Sequence, residues 1–279
     1  MLRALTLCAL SALLPAQEAV PAQHLSALYQ AGDWNGLADA FEQLSPKDRG
    51  QYLPTWIEAL GKARRWERLL EVSTAVLPQL EKIPAQKDFV EVLRKEQVQA
   101  LGHLGRHHDA ALMGEALGDK GVDFGYRAAL QEARDAQDWE LMAKVAGKLL
   151  AKYPKDVPAL ADEGEALARL ERWSEAEPVL AQTVALNPKD FFAWSNLGLC
   201  RLQRGAWEEA AGALDRAIAL NPDTPEPFAN RGRVRFELKQ YQGSVEDYRR
   251  ALGMLPGNTL LTQNLAQAER YANPSKVKR

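Results

Sequence analysis

The chain has 279 residues, 46% of them apolar, and a formal charge of −2 at pH 7. That is ample apolar material for a core, and the balanced charge excludes an electrostatic bias toward nucleic acid or anionic lipid. Length alone admits two ordinary domains or one elongated array. The chain is rich in Ala, Leu, Glu, Arg and Gln, all good helix formers, and runs of alternating β-branched residues are missing. The expected fold class is all-α.

The first residues form a segment of their own. Met1-Leu2-Arg3 supplies one positive charge, and Ala4 to Leu14 is apolar apart from Thr6 and Ser11. Pro15-Ala16 then breaks the run, so 1–16 reads as a secretory signal peptide cleaved after Ala16, although Leu14 stands where a small residue is preferred. Eleven residues rise only about 16 Å as a helix, too short to span a bilayer. Cys8 has no small residue before it, which argues against lipoprotein processing. Export would place the protein in the periplasm or outside the cell, with no transmembrane span in the mature chain. If 1–16 is instead the first helix of the array, a cytoplasmic location follows. Without 1–16, Cys200 is the one cysteine, which excludes an intramolecular disulfide.

From residue 17 the chain reads as helical hairpins. Gln23 to Ala31 has Leu25, Leu28 and Tyr29 at helical spacing and ends at Gly32-Asp33; Trp34 to Leu44 is its partner, closed by Ser45-Pro46. Tyr52 to Ala63 and Trp66 to Leu77 form the second pair around Arg64-Arg65, with Pro78 expected to end or kink the helix. An irregular connector, Glu81 to Gln86, contains Pro84. Asp88 to Leu104 and His107 to Leu117 make the third pair, with Gly105 at the turn and Gly118 past the end.

A register then becomes visible. Prolines stand at 154, 188, 222 and 256, and glycines at 164, 198 and 232, all in steps of 34. The residue opening each second helix gives the series Trp34, Trp66, His107, Trp139, Trp173, Trp207 and Tyr241, with steps of 32, 41, 32, 34, 34 and 34. The connector at 81–86 accounts for the long step. A fixed period of a few tens of residues is the mark of a repeat solenoid. The predicted organisation is three irregular hairpins in 17–122 and four regular repeats at 123–156, 157–190, 191–224 and 225–258. A capping helix at 259–272 and a basic tail at 273–279 follow, with Glu269, Arg270 and Lys276 on a solvated outer face.

Within the repeats, small residues at Gly198, Ala210 and Ala217 let paired helices approach closely. Trp207 and Leu214, seven residues apart, fill the space between neighbours. Taken as a large buried aromatic, Trp207→Ala is expected to cost about 3–5 kcal/mol. Cys200, flanked by Leu199 and Leu202 with every histidine far off in sequence, reads as buried packing rather than a nucleophile.

The pattern Trp194-x2-Leu197-Gly198, then Ala210, Leu214 and Ala217, then Pro222, resembles the tetratricopeptide repeat. The resemblance is specific in 157–258, with Trp173 and Tyr241 in the aromatic slot. It is weaker in 123–156, where Leu130 and Met142 replace the glycine and first alanine. Arg201 stands where the motif has a large apolar residue, and Pro178 lies in the second turn of a helix. The resemblance implies a right-handed α-solenoid whose first helices line a groove for a peptide or partner protein. Carried over by position, that groove takes Phe192, Ser195, Asn196, Leu199 and Leu202, then Glu226, Asn230, Arg233 and Phe236, then Asn264. Asn196, Asn230 and Asn264 form a ladder 34 apart. An asparagine amide can donate to and accept from a peptide backbone at once, or it can merely bond neighbouring helices. A carboxylate clamp is not expected, since Ala161 and Ala229 stand where a clamp lysine would, beside the acidic Asp162 and Glu165.

Other chemistries have little support. His103 and His107 are four apart, but Gly105 should place them on different helices, and His107 fills an aromatic packing slot. His107-His108-Asp109 has no recognised ligand spacing, and there is no strand-borne phosphate loop. No catalytic, cofactor or metal site is expected. Arg231, Arg233 and Arg235 are followed by Glu237, and Arg249-Arg250 reads as solvated surface, so no nucleic-acid partner is expected. The reading is a non-catalytic, exported interaction scaffold with a protein or peptide partner. A structural accessory subunit of a cell-envelope secretion or assembly machine is the alternative.

Overall fold

The computed structural model describes residues 22–122 and 124–273. The expected signal segment 1–16 and the tail from 274 lie outside the described residues. Those residues form sixteen α-helices and one 3-10 turn, with no strand among them. The chain divides into two units at Ala136/Gln137, inside the span expected as the first regular repeat.

The first unit holds α1 (Ala22–Ala31), α2 (Trp34–Glu42), α3 (Pro46–Gln51), α4 (Leu53–Lys62), α5 (Trp66–Leu80), α6 (Lys87–His103), α7 (His107–Asp119) and α8 (Gly125–Asp135). Its main core runs from Leu25 through Leu37, Phe41, Trp56, Leu60, Leu69 and Leu80 to Leu93. Three elements differ from expectation. The link at 46–51 is a helix, because the Ser45 hydroxyl accepts from Asp48 N at 3.2 Å and Pro46 at N1 has no N–H to leave unmet. α5 runs two residues past Pro78, since a proline in a final turn removes only a hydrogen bond close to where the ladder ends anyway. Gly118 lies inside α7 and is buried rather than ending it. A Cβ at Gly118 would stand 2.3 Å from the Tyr126 ring, and one at Gly125 would stand 2.2 Å from Gly118 N. α7 and α8 therefore meet backbone to backbone, and Gly121, at φ +79°, follows the helix end.

The second unit holds α9 (Trp139–Lys152), α10 (Val157–Arg169), α11 (Trp173–Leu186), α12 (Phe191–Gln203), α13 (Trp207–Leu220), α14 (Pro225–Glu237), α15 (Tyr241–Met254) and α16 (Thr259–Ala272). Each helix packs on the next, and α10, α12, α14 and α16 also touch in sequence. The first helices start alike. Asp156, Asp190 and Asn258 each accept from a backbone N–H three residues on at 3.0 Å. Thr224 in the same register makes no such bond, and Pro225 at N1 starts α14 instead.

All seven second helices open on the residue that the register names, from Trp34 to Tyr241. Two residues before each lies a left-handed backbone position: Gly32, Arg64, Gly105, Gln137, Glu171, Gly205 and Lys239, with φ from 53° to 77°. Close packing also repeats. Cβ atoms at Gly164 and Gly198 would stand 2.6 Å from Leu180 Cδ2 and Leu214 Cγ, so the leucine occupies the space that the glycine leaves. Leu214 is fully buried, whereas Trp207 is only partly buried against it, which lowers the expected cost of Trp207→Ala. Pro178 stays within α11. Arg201 replaces the motif's apolar residue because its guanidinium reaches Glu177 at 3.1 Å and the Glu209 carbonyl at 3.4 Å. α16 covers the last repeat: Tyr271 packs edge-on to Phe236 and tilted against Tyr241, with centroids 5.2 Å apart in both pairs.

Candidate peptide-binding groove

Successive first helices of the second unit present the same repeat positions on one face, because α10, α12, α14 and α16 lie side by side in a 34-residue register. Asn196, Asn230 and Asn264 occupy one position on that face and are half-buried. Among the described residues their amides make no hydrogen bond to any neighbour. The bond between neighbouring helices, the alternative role for these side chains, is therefore not made. Half-buried and unbonded within the fold, these three repeated amides keep their donors and acceptors open on one face.

Around the ladder the face is mixed. Phe192 is 75% exposed at the start of α12, and Leu260, two repeats on in the same position, is 63% exposed. Ser195 and Leu199 are half-buried. Arg233 is exposed and makes no ion pair among the described residues. On α10 the ladder position is Asp162, and Glu165 lies 3.8 Å from Arg169. The face thus runs from carboxylates on α10, through neutral amides on α12, to a cation on α14.

Two residues assigned to the groove lie elsewhere. Leu202 is buried with Ala210, Leu214 and Val234. Phe236 is taken up by the aromatic group with Tyr241 and Tyr271, because the capping helix meets α14 at that position. The neighbouring arginines are also occupied. Arg231 reaches Asp247 at 2.6 Å and Asp215 at 2.6 Å, and Arg235 reaches Asp247 at 2.9 Å. Burial lowers the Arg231 pKa, but the hydrogen bonds to Asp247 and Asp215 more than offset it, and the net shift is upward.

The histidines and the cysteine have ordinary surroundings. His103 ends α6 and stacks on Trp66 at 4.2 Å. His107 starts α7, with Nδ1 2.8 Å from Glu132 Oε2. Asp135 brings a carboxylate within 4.8 Å of that pair, but Gln131 holds it at 3.1 Å. Cys200 is buried, which pushes its thiol up to about 12 and makes it a poor nucleophile.

Sequence reasoning missed a cleft of about 840 Å³ in the first unit, between α4 and α6, with Ile57, Trp66, Phe89 and Val92 as apolar lining and Glu58 and Glu96 beside them. Burial raises the Glu96 pKa. The signal that could have found it is Val92, an apolar residue that helical spacing leaves outside the core and that is 49% exposed.

A tetratricopeptide repeat family model matches residues 161–225 and again 207–259. The chain carries tetratricopeptide repeats over 161–259. Solved structures share the fold. A MamA protein is 22% identical over 55% of this chain and 83% of its own, with a TM-score of 0.50. YrrB, a TPR protein with an unusual peptide-binding site, is 20% identical over 64% of this chain and 94% of its own, with a TM-score of 0.55. Likeness at these identities concerns the tetratricopeptide fold alone. No curated protein sequence matches. No described helix is long and apolar enough to cross a membrane.

Proposed function

We propose that the chain is a non-catalytic interaction scaffold that holds an extended peptide, or a segment of a partner protein, across α12, α14 and α16. The observation that carries this reading is the ladder of unbonded amides at Asn196, Asn230 and Asn264. An extended chain offers alternating N–H and C=O groups, and an asparagine amide answers both. Phe192 and Leu199 add apolar contact, and Arg233 favours an acidic group on the partner. The YrrB description supports the reading by likeness of fold.

The test is to identify a partner by affinity capture from native cells and measure its binding to purified variants by calorimetry. Asn196→Ala with Asn230→Ala should weaken binding by about 10-fold or more, at roughly 1 kcal/mol per lost amide contact. Thermal stability should hold, because neither amide bonds within the fold. Unchanged affinity in this variant and in Asn230→Ala with Arg233→Ala would place the contact elsewhere. Export is part of the proposal and rests on the apolar run at 4–14. An intact Met1 on protein from its native cell would sink it.

A further inference from the structure

The link that folds as α3 encloses a pocket of about 180 Å³ with α4 and α5. Leu53, Val72 and Val76 give it apolar walls, and exposed Ala75 and Glu71 stand at its mouth. Its polar atoms are unevenly matched. Arg68 is fully engaged, with Nε and Nη2 on Glu42 at 2.7 and 2.8 Å and Nη1 on Glu71 at 2.6 Å. Arg49 is not. Its side chain is 6% exposed, and its one acid is the same Glu42 at 3.4 Å. Its Nε has no acceptor, and neither has Trp56 Nε1. The two guanidiniums lie over the Trp56 ring at 5.5 and 5.7 Å, so the buried Arg49 shares its one carboxylate with the part-buried Arg68, which has Glu71 as well. Burial pulls the Arg49 pKa down, Glu42 opposes this only in part, and Arg68 adds to it.

We infer that this pocket binds a small aliphatic carboxylate, whose oxygens accept from Arg49 and Trp56 Nε1 while its chain lies on Leu53, Val72 and Val76. The chemistry follows from the deficit: two buried N–H donors without an acceptor, one of them on a buried cation with a single long ion pair, call for an anionic acceptor. An apolar cavity of roughly 150 Å³ holds a benzene-sized group, so the hollow matches a chain of about six carbons. Both nitrogens are closed to solvent, so the entering acid draws Arg49 away from its long contact with Glu42. That contact is the weakest of the cluster, which makes Arg49 the side chain free to move.

Hexanoate is the probe, read through the indole N–H resonance of Trp56, which is assigned by its loss in Trp56→Phe. The resonance should shift saturably with a Kd of about 1 mM or tighter, and hexanol should leave it in place. Ala75→Phe, which fills the mouth from an exposed position, should weaken the effect at least about tenfold with the far-ultraviolet dichroism unchanged. Arg49→Gln should do the same by removing the charge. No saturable shift, an equal shift with hexanol, or undiminished binding in both variants overturns the inference. A leucine-ended tripeptide that binds more tightly than hexanoate makes a peptide terminus the source of the carboxylate. The reverse order makes it a free acid.

Discussion

The α12–α13 hairpin and the α4–α5 hairpin share a register and differ in what fills it. In the first, Gly198 receives Leu214, and Ala210 and Ala217 keep the helices close. Counted from the aromatic that opens the second helix, the same positions in α4–α5 are Ile57, Ser73, Leu69 and Val76. The large partner and the small one have changed places, and two alanines have become Leu and Val. Ser73 is fully buried and returns its hydroxyl to the Leu70 carbonyl at 3.2 Å. The bulkier set accompanies the 180 Å³ pocket under α3 and the 840 Å³ cleft beside α6. The turn and the aromatic set where helices begin; the small residues set how near they come. The regular hairpin therefore pairs its helices closely, and the irregular hairpin has volume to offer.

The sharpest way to break this comparison is at its buried centre. Leu214→Ala should cost about 2–5 kcal/mol in urea denaturation, as a fully buried leucine does. Trp207→Ala should cost about 2 kcal/mol, because that ring is only partly buried. A larger loss at Trp207 than at Leu214 would reverse the roles assigned to them. Next comes the charge pairing. Asp247, with a side chain 4% exposed, holds two arginines within 2.9 Å, whereas Glu42 holds Arg68 closely and Arg49 only at 3.4 Å. Asp247→Ala should therefore lower stability by about 3 kcal/mol, more than Glu42→Ala, because it breaks two close pairs at once, leaving Arg235 without an acid and Arg231 with Asp215 alone. Equal losses by calorimetry would show that Arg49 is better satisfied than its geometry indicates.

Gly198→Ala should cost about 1–3 kcal/mol, since the added methyl meets Leu214 Cγ at 2.6 Å. In the double variant with Leu214→Ala the two effects should fall short of additive, because the leucine that clashes is gone. The smallest effect has the opposite sign. Glu171 takes φ +57° at a turn where Gly205 takes +77°, and Glu171→Gly should raise stability by about 0.5–1 kcal/mol. A melting temperature that falls instead would mean that the Glu171 side chain, not its backbone, matters to the turn.

How far the sequence spoke depended on what each residue answers to. Helix starts answer to local chemistry, so Trp34, Trp66, His107 and the four later aromatics marked them. Gly118 shows the limit: a glycine near a helix end reads as a terminator, and only the Tyr126 ring 2.3 Å from its missing Cβ reveals a close approach. α3 was hidden because the six residues from Pro46 to Gln51 are too few for a period to show. In the groove, register placed Asn196, Asn230 and Asn264 on one face. It could not see that α16 changes what Phe236 meets, nor that Leu202 turns inward to Leu214. The pocket at Arg49 depends on residues from three helices and has no trace in spacing at all.

The left-handed residue before each aromatic has a consequence for how such a chain changes length. Three of the seven positions are glycine and four are not, so the turn is kept as a backbone shape rather than as a letter. Joining Asp190 directly to Pro225 would remove one whole cassette, 191–224, and set an aspartate before the next first helix as its cap. Every downstream turn would stay in phase. Deletion of a number of residues that is not a multiple of 34 within these repeats would put a left-handed position where a helix must run. The array is thus edited in whole divisions, like a ruler, and binding faces can be added or lost without redesigning a core.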